Sequence, residues 1–83
     1  MKKIGVVAII VTDRSVAGTV QSVLSDFADI ISGRMGIPDK VSGVCAISVV
    51  VEGETERISA LTGKLGRIDS VNVKSAVTAV EID

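Results

Sequence analysis

The first apolar run of the chain has the pattern of a central β-strand. Between residues 3 and 12, apolar side chains occupy both alternating sets of positions: Ile4, Val6, Ala8 and Ile10 on one side, and Val7, Ile9 and Val11 on the other. A strand with two apolar faces is typically covered on both of them. The helices of so short a chain can cover only one side of a sheet, so the pattern predicts a partner on the other side.

Two later segments have the three- and four-residue spacing of amphipathic helices. The apolar stripes consist of Val16, Val20, Val23, Leu24 and Phe27 within residues 15–28, and of Ile58, Leu61 and Leu65 within residues 55–66. Ser15 or Asp13 can cap the first helix, because a short side-chain oxygen accepts a free first-turn N–H. Gly18 costs that helix about 1 kcal/mol relative to alanine. Either close packing on the sheet explains this glycine, or the helix is a poor one.

Three further strands are predicted over residues 30–37, 44–51 and 71–80. The first contains two glycines and ends near Pro38, which cannot donate a hydrogen bond to a central ladder. Residues 40–43 form the loop that follows it. Residues 44–51 are almost all apolar, whereas residues 71–80 alternate apolar and polar positions and are predicted to be partly solvated on one side.

The predicted order of elements is β-α-β-β-α-β. This order is that of the ferredoxin-like fold, an α+β class with a four-stranded antiparallel sheet and two helices on one face. The chain of 83 residues is long enough for one domain, spanning residues 1–83. Hydrophobic residues make up 47% of it, more than a single one-sided core requires. We therefore expect a homo-oligomer, a dimer or a tetramer, formed through the helix-free face of the sheet.

Charge and composition disfavour several other partners. Nine basic and ten acidic residues leave a net charge of -1, so direct nucleic-acid binding is not expected. Phe27 is the only aromatic residue, which leaves no stacking platform for single strands. No apolar run approaches the ~20 residues that span a bilayer, so no membrane association is expected. The single cysteine, Cys45, excludes an internal disulfide and fits a cytoplasmic protein.

Residue chemistry gives no support for an enzyme. The chain contains no histidine, so serine–histidine and cysteine–histidine couples are excluded. Cys45 lies in the middle of an apolar strand, as a small core residue does. No spacing of carboxylates matches a calcium loop. We expect no catalytic residue, no metal site and no cofactor.

Two polar corners are the candidate binding sites. The first, Thr12-Asp13-Arg14-Ser15 followed by Val16, joins the first strand to the first helix, where free N–H groups and Arg14 can hold an anion. These residues are otherwise only a helix cap. The second corner places Arg34 between Gly33 and Gly36, where its guanidinium can reach a ligand or a neighbouring subunit. Otherwise Arg34 is a solvated charge on an edge strand.

Three segments of the sequence carry a family resemblance. They are the Ile-rich first strand ending in Asp13-Arg14, residues 31–38 (ISGRMGIP), and residues 58–68 (ISALTGKLGRI) followed by Val71-Asn72-Val73-Lys74. In these segments the chain resembles small proteins classed as transcriptional regulators of the iron-only hydrogenase system. That resemblance implies an ACT-like ferredoxin fold and a regulatory role.

Two regulatory domain types are similar at a greater distance. ACT domains have an Asp-Arg-x-Gly-type corner after the first strand and bind amino acids at subunit interfaces. Asp13 and Arg14 match that corner, but Val16 or Ala17 stands at the glycine position and Gly18 follows slightly later. The C-terminal domain of the nickel-responsive repressor shares the topology, but its nickel ligands include histidine, which this chain lacks.

The leading hypothesis is therefore a non-enzymatic, oligomeric regulatory domain. It would sense a small molecule, such as an amino acid, or a partner protein at the corner formed by Asp13, Arg14, Ser15 and Val16, with Arg34 as a further contact. Regulation of transcription would then act through a partner or a ligand signal. The alternative is a structural or protein-interaction oligomer with no small-molecule ligand.

Overall fold

The computed structural model describes residues 2–38 and 42–82. The strands are β1 (Lys2–Val11), β2 (Ile31–Pro38), β3 (Cys45–Gly53) and β4 (Val71–Ile82), and the helices are α1 (Ala17–Asp26) and α2 (Thr55–Gly66). Short 3-10 turns at Arg14–Val16 and Ala28–Ile30 flank α1. Part of the predicted loop over residues 40–43 lies outside the described residues.

The four strands form one antiparallel sheet in the order β2-β3-β1-β4. β1 lies between β3 and β4, in the central position that its two apolar faces predict. The order of elements and the pairing confirm the predicted ferredoxin-like fold.

The core lies between the helices and one face of the sheet. Val7 and Ile9 of β1 pair with Val49 and Ile47 of β3, and all four side chains are buried. The helices contribute the predicted stripes, of which Val20, Leu24, Ile58, Leu61 and Leu65 are buried. Burying such a side chain stabilises the fold by about 1.5–3 kcal/mol. One face of the sheet thus receives the whole core.

The first helix differs from its predicted extent of residues 15–28. Its α-helical part is shorter, Ala17–Asp26, because a 3-10 turn precedes it and another follows Phe27. A side chain at Gly18 would meet no atom beyond its own helix within 4 Å. Close packing on the sheet is therefore the wrong explanation for this glycine, which is simply exposed on a weak first turn.

The close approach of β4 to β1 requires a glycine at position 5. A Cβ at this position would lie 2.9 Å from the carbonyl oxygen of Ala76 and 3.0 Å from Cγ2 of Val77 on β4. The pairing of β1 with β4 changes register between Lys3 and Gly5, so β4 bulges there. The bulge changes the alignment of the two strands where β1 begins and β4 ends.

The opposite face of the sheet carries no helix within the described residues and is mostly apolar. The strand pairing places on this face, here called the open face, side chains that include Val6, Ala8, Ile10, Met35, Ile37, Ala46 and Val50. Val6 and Val50 are 43% and 37% exposed, and Met35 on the edge strand is 62% exposed. Soluble proteins rarely leave so contiguous an apolar surface without a partner.

The two helices are joined at their ends around Phe27. The guanidinium of Arg57 lies 4.1 Å above the Phe27 ring and donates hydrogen bonds to Asp29 at 2.8 Å and to the Asp26 carbonyl at 3.0 Å. Lys64 approaches the same ring at 5.5 Å. The contacts hold the end of α1 against α2 and leave the opposite end of α1 free to form the corner with β1.

Candidate functional site

The corner between β1 and α1 is fixed to the turn that leads into β4. Both the backbone N–H and the side-chain hydroxyl of Thr12 donate to the carbonyl of Ser70, at 2.9 and 3.1 Å. Ser70 adopts a positive φ of 66°, which turns that carbonyl toward β1. These two hydrogen bonds fix Thr12 to Ser70, and they therefore set the direction in which the chain leaves β1.

Asp13 caps the first helical turn. Its carboxylate accepts a hydrogen bond from the Ser15 N–H at 2.9 Å, and its carbonyl accepts one from Val16 at 3.2 Å. The hydrogen bonds from the backbone and side chain of Ser15 hold the pKa of Asp13 below its ordinary value. Of the two residues that the sequence offered as the cap, Asp13 takes that role.

A small cavity opens beside the corner. It has a volume of about 60 Å³ and is lined by residues of β1, α1 and β3 together with Arg14 and Gly43. Cys45 and Gln21 lie in its wall. A water molecule needs roughly 10–15 Å³ of such space, so the cavity can take a few waters or one small ligand group.

Arg34 reaches this region from the edge strand. It pairs with Val49 in the register of β2 and β3, and its guanidinium donates to the side-chain carbonyl of Gln21 at 2.5 Å. Gln21 lines the cavity that Arg14 also lines. The described residues provide neither Arg14 nor Arg34 with an ion-pair partner, so two positive charges face this end of the fold.

The structure brings together only part of the predicted site. Arg14 lines the cavity and Arg34 bonds to Gln21 in its wall, whereas Asp13 and Ser15 bond to each other and do not line it. Val16 packs against the core. These three residues shape the corner rather than the cavity.

Sequence reasoning missed Gln21, Gly43 and Cys45 as cavity residues. Gln21 lies seven positions after Arg14, which is the spacing of one helical face, and this signal could have identified it. The positions of Gly43 and Cys45 depend on how β3 pairs with β1. No local pattern carries that information.

The chemistry of the corner suits an anion. Two guanidinium groups can each donate paired hydrogen bonds to a carboxylate or phosphate. Within residues 2–38 and 42–82, no three side chains of the metal-binding types come together. None of the described helices has the length and apolar character needed to cross a membrane.

Comparison with known proteins identifies the family. The model of the TM1266-like family, described as "Iron-only hydrogenase system regulator, putative", matches residues 3–75. This chain belongs to that family. The resemblance expected from residues 31–38 and 58–68 is thereby confirmed.

A solved structure of the same family agrees with this assignment. The uncharacterized protein TM1266 from Thermotoga maritima is 33% identical, with a TM-score of 0.88 over 93% of this chain and 98% of its own. No curated protein gives a significant match.

Two other solved structures share the fold at low identity. The ACT domain of the GTP pyrophosphokinase of Chlorobium tepidum is 16% identical, with a TM-score of 0.69, 95% of this chain and 89% of that chain being covered. A formyltetrahydrofolate deformylase from Pseudomonas putida KT2440 is 10% identical, with a TM-score of 0.63, 88% of this chain and 28% of that chain being covered. At such identities the likeness concerns the fold alone, and it agrees with the predicted ACT-like architecture.

Proposed function

We propose that this regulator is a non-enzymatic domain that works as a homo-oligomer and senses a small anionic ligand at the β1–α1 corner. The cavity that Arg14 shares with Gln21, beside Arg34, is the observation that carries the proposal. A carboxylate there would meet two guanidinium groups whose charges the described carboxylates leave unpaired. A transcriptional effect would pass through a partner protein, since the nine basic residues of the chain are offset by ten acidic ones.

The open face supports the oligomeric part of the proposal. Four strands about 4.8 Å apart and about eight residues long span on the order of 500 Å². Two such faces would together bury about 1,000 Å², which is near the lower limit for a specific interface. Glu52 and Lys74 also lie on this face, on β3 and β4, so a two-fold arrangement can place each against the opposite charge of a second copy.

Light scattering of wild-type protein and two variants tests the oligomer. Val50→Lys places a charge in the centre of the open face and is expected to yield a monomer, because an unpaired buried charge costs more than the contact gains. Ala60→Lys adds the same charge to the exposed surface of α2 and is expected to leave the oligomer intact. A wild-type protein that is monomeric at micromolar concentration would refute this part.

Titration calorimetry with small carboxylates, including amino acids, tests the ligand site. An Arg14→Met, Arg34→Met double variant is expected to lose binding by about tenfold or more, since each charged hydrogen bond contributes about 1.5–3 kcal/mol. Arg67→Met, at the exposed end of α2, is the matched control. Equal binding by the double variant and the wild type would remove the corner as the site.

The second candidate is a structural oligomer without a ligand. The cap formed by Asp13 and Ser15 favours it, because that carboxylate already has a partner within its own turn. This alternative predicts that the oligomer forms normally and that no small carboxylate binds at the corner. The two experiments above therefore separate the two functions.

A further inference from the structure

A second and more voluminous cavity lies at the other end of the sheet from the corner. Its volume is about 370 Å³, within the range of about 300–1,000 Å³ that is usual for small-molecule sites. It opens between α2 and the ends of β1 and β4. Because β1 rises about 3.3 Å per residue, roughly 30 Å separate Lys3 in this cavity from Asp13 at the corner.

Five of the eight residues that line this cavity carry hydroxyl groups. They belong to Thr55, Ser59, Thr62, Ser75 and Thr78, and Lys3 adds an ammonium group. Side chains of Ile58 and Val77 form the apolar part. Val77 is 41% exposed although it lies on the helix side of the sheet. Its apolar side chain is therefore exposed inside the cavity.

The hydroxyl groups fall into two kinds. Thr62 donates to the carbonyl of Ser59 at 3.1 Å, and Thr78 donates to the carbonyl of Ile4 at 3.0 Å, so their oxygens remain as acceptors. Within the described chain, the side chains of Thr55, Ser59 and Ser75 make no hydrogen bond and can both donate and accept. A ligand rich in hydroxyl groups would satisfy both kinds.

The charge around the cavity limits the ligand to a single negative charge. Lys3 is the only cation in the wall, and it has no ion-pair partner among residues 2–38 and 42–82. Glu81 lies opposite Lys3 in the pairing of β1 with β4. This carboxylate repels a dianion more strongly than a monoanion.

The bulge of β4 shapes this site. The change of register between Lys3 and Gly5 shifts the strand that carries Ser75, Val77 and Thr78 relative to β1. Gly5 allows it, because any side chain there would collide with Ala76 and Val77. Bulges are frequent beside binding sites, where they redirect side chains.

From these observations we infer a second binding site, for a small hydroxylated monocarboxylate such as a sugar acid. Lys3 holds the carboxylate, the hydroxyl groups of Ser59 and Ser75 bind the hydroxyls of the ligand, and Val77 covers its carbon chain. This site is independent of the corner and does not rest on the function proposed for it.

Calorimetry or amide chemical-shift titration with gluconate tests the site, with glucose and glucose 6-phosphate as the neutral and dianionic comparisons. Gluconate is expected to bind at millimolar concentration or below and more tightly than either comparison. Absence of gluconate binding would overturn the inference. Tighter binding of glucose 6-phosphate would overturn the assignment to a monocarboxylate.

Variants locate the binding on the fold. Lys3→Met is expected to weaken gluconate binding about tenfold or more, whereas Lys2→Met, which removes the neighbouring charge outside the cavity, leaves it unchanged. Equal weakening by both would indicate a general charge effect and overturn the site. If Lys3→Met fails to fold, a Ser59→Ala, Ser75→Ala double variant, which changes only exposed hydroxyl groups, takes its place. It is also expected to weaken gluconate binding, and unchanged binding would overturn the site. The Arg14→Met, Arg34→Met variant should bind gluconate normally.

Discussion

Adding one methyl group at Gly18 and at Gly5 should change stability in opposite directions. At Gly18 the new Cβ meets no atom beyond its own helix within 4 Å, so alanine introduces no clash. Alanine in a helix is favoured over glycine by about 0.5–1 kcal/mol. Because Gly18 lies in the first turn of α1, the lower half of that range applies.

At Gly5 the same methyl group has no space. It would lie 2.9 Å from the Ala76 carbonyl oxygen, which belongs to the backbone of the paired strand and cannot rotate away. Overpacking of this kind costs about 1–3 kcal/mol. A domain of 60–100 residues shifts its Tm by roughly 4–8 °C per kcal/mol, so Gly5→Ala should lower the Tm by at least several degrees and Gly18→Ala should raise it by a few.

Urea unfolding followed by far-ultraviolet circular dichroism measures both effects, and equal m-values would show that both variants unfold from a native state of the same compactness. Each variant and the wild type must be compared at one protein concentration, because an oligomer links stability to concentration. Gly63→Ala, in the interior of α2 and also with open space, repeats the first substitution and should stabilise by about 1 kcal/mol. A neutral Gly5→Ala variant would refute the close approach of β4 to β1.

Two further predictions concern the turn into β4 and the contacts between the helices. Ser70→Gly should raise the free energy of unfolding by about 0.5–1 kcal/mol in the same urea assay, because relief of the left-handed strain at φ 66° exceeds the entropy that glycine adds to the unfolded chain; a loss of stability would show that the serine side chain is needed there. The Arg57 guanidinium holds the pKa of Asp29 below its ordinary value of 3.8. That contribution is complete above pH 3.8 and is lost as the pH falls through the lower folded pKa. Arg57→Gln should therefore lose less stability than the wild type during acidification, and parallel pH profiles of the two proteins would contradict the role of this pair.

The order and kind of the elements follow from local patterns. Residues 55–66 were predicted as a helix and form α2 with the same bounds, because the apolar stripe at helical spacing lies within the segment itself. The first helix was placed less accurately, since Asp13 directs its first turn into a 3-10 geometry that the stripe does not encode. The two apolar faces of β1 likewise pointed to its central position.

The candidate sites depend on contacts between distant segments. Arg34 meets Gln21 only because β2 pairs with β3 in one particular register beside α1, and neither segment alone specifies that register. The cavity at Lys3 lies beside the bulge of β4 around Gly5, which the alternating pattern of residues 71–80 does not indicate.

The sequence by itself thus determined which segments are strands or helices, that the sheet has an apolar face which the helices do not cover, and which family the chain resembles. Hydrophobic periodicity is a local property, because it can be read within each segment without knowledge of the rest of the chain. Only the tertiary structure decided that Asp13 is bound within its own turn, that Arg34 contacts a residue of the cavity that Arg14 lines, and that Lys3 stands among hydroxyl groups. Those contacts join residues far apart in the chain, and the strand register and the bulge that set them are cooperative results of packing.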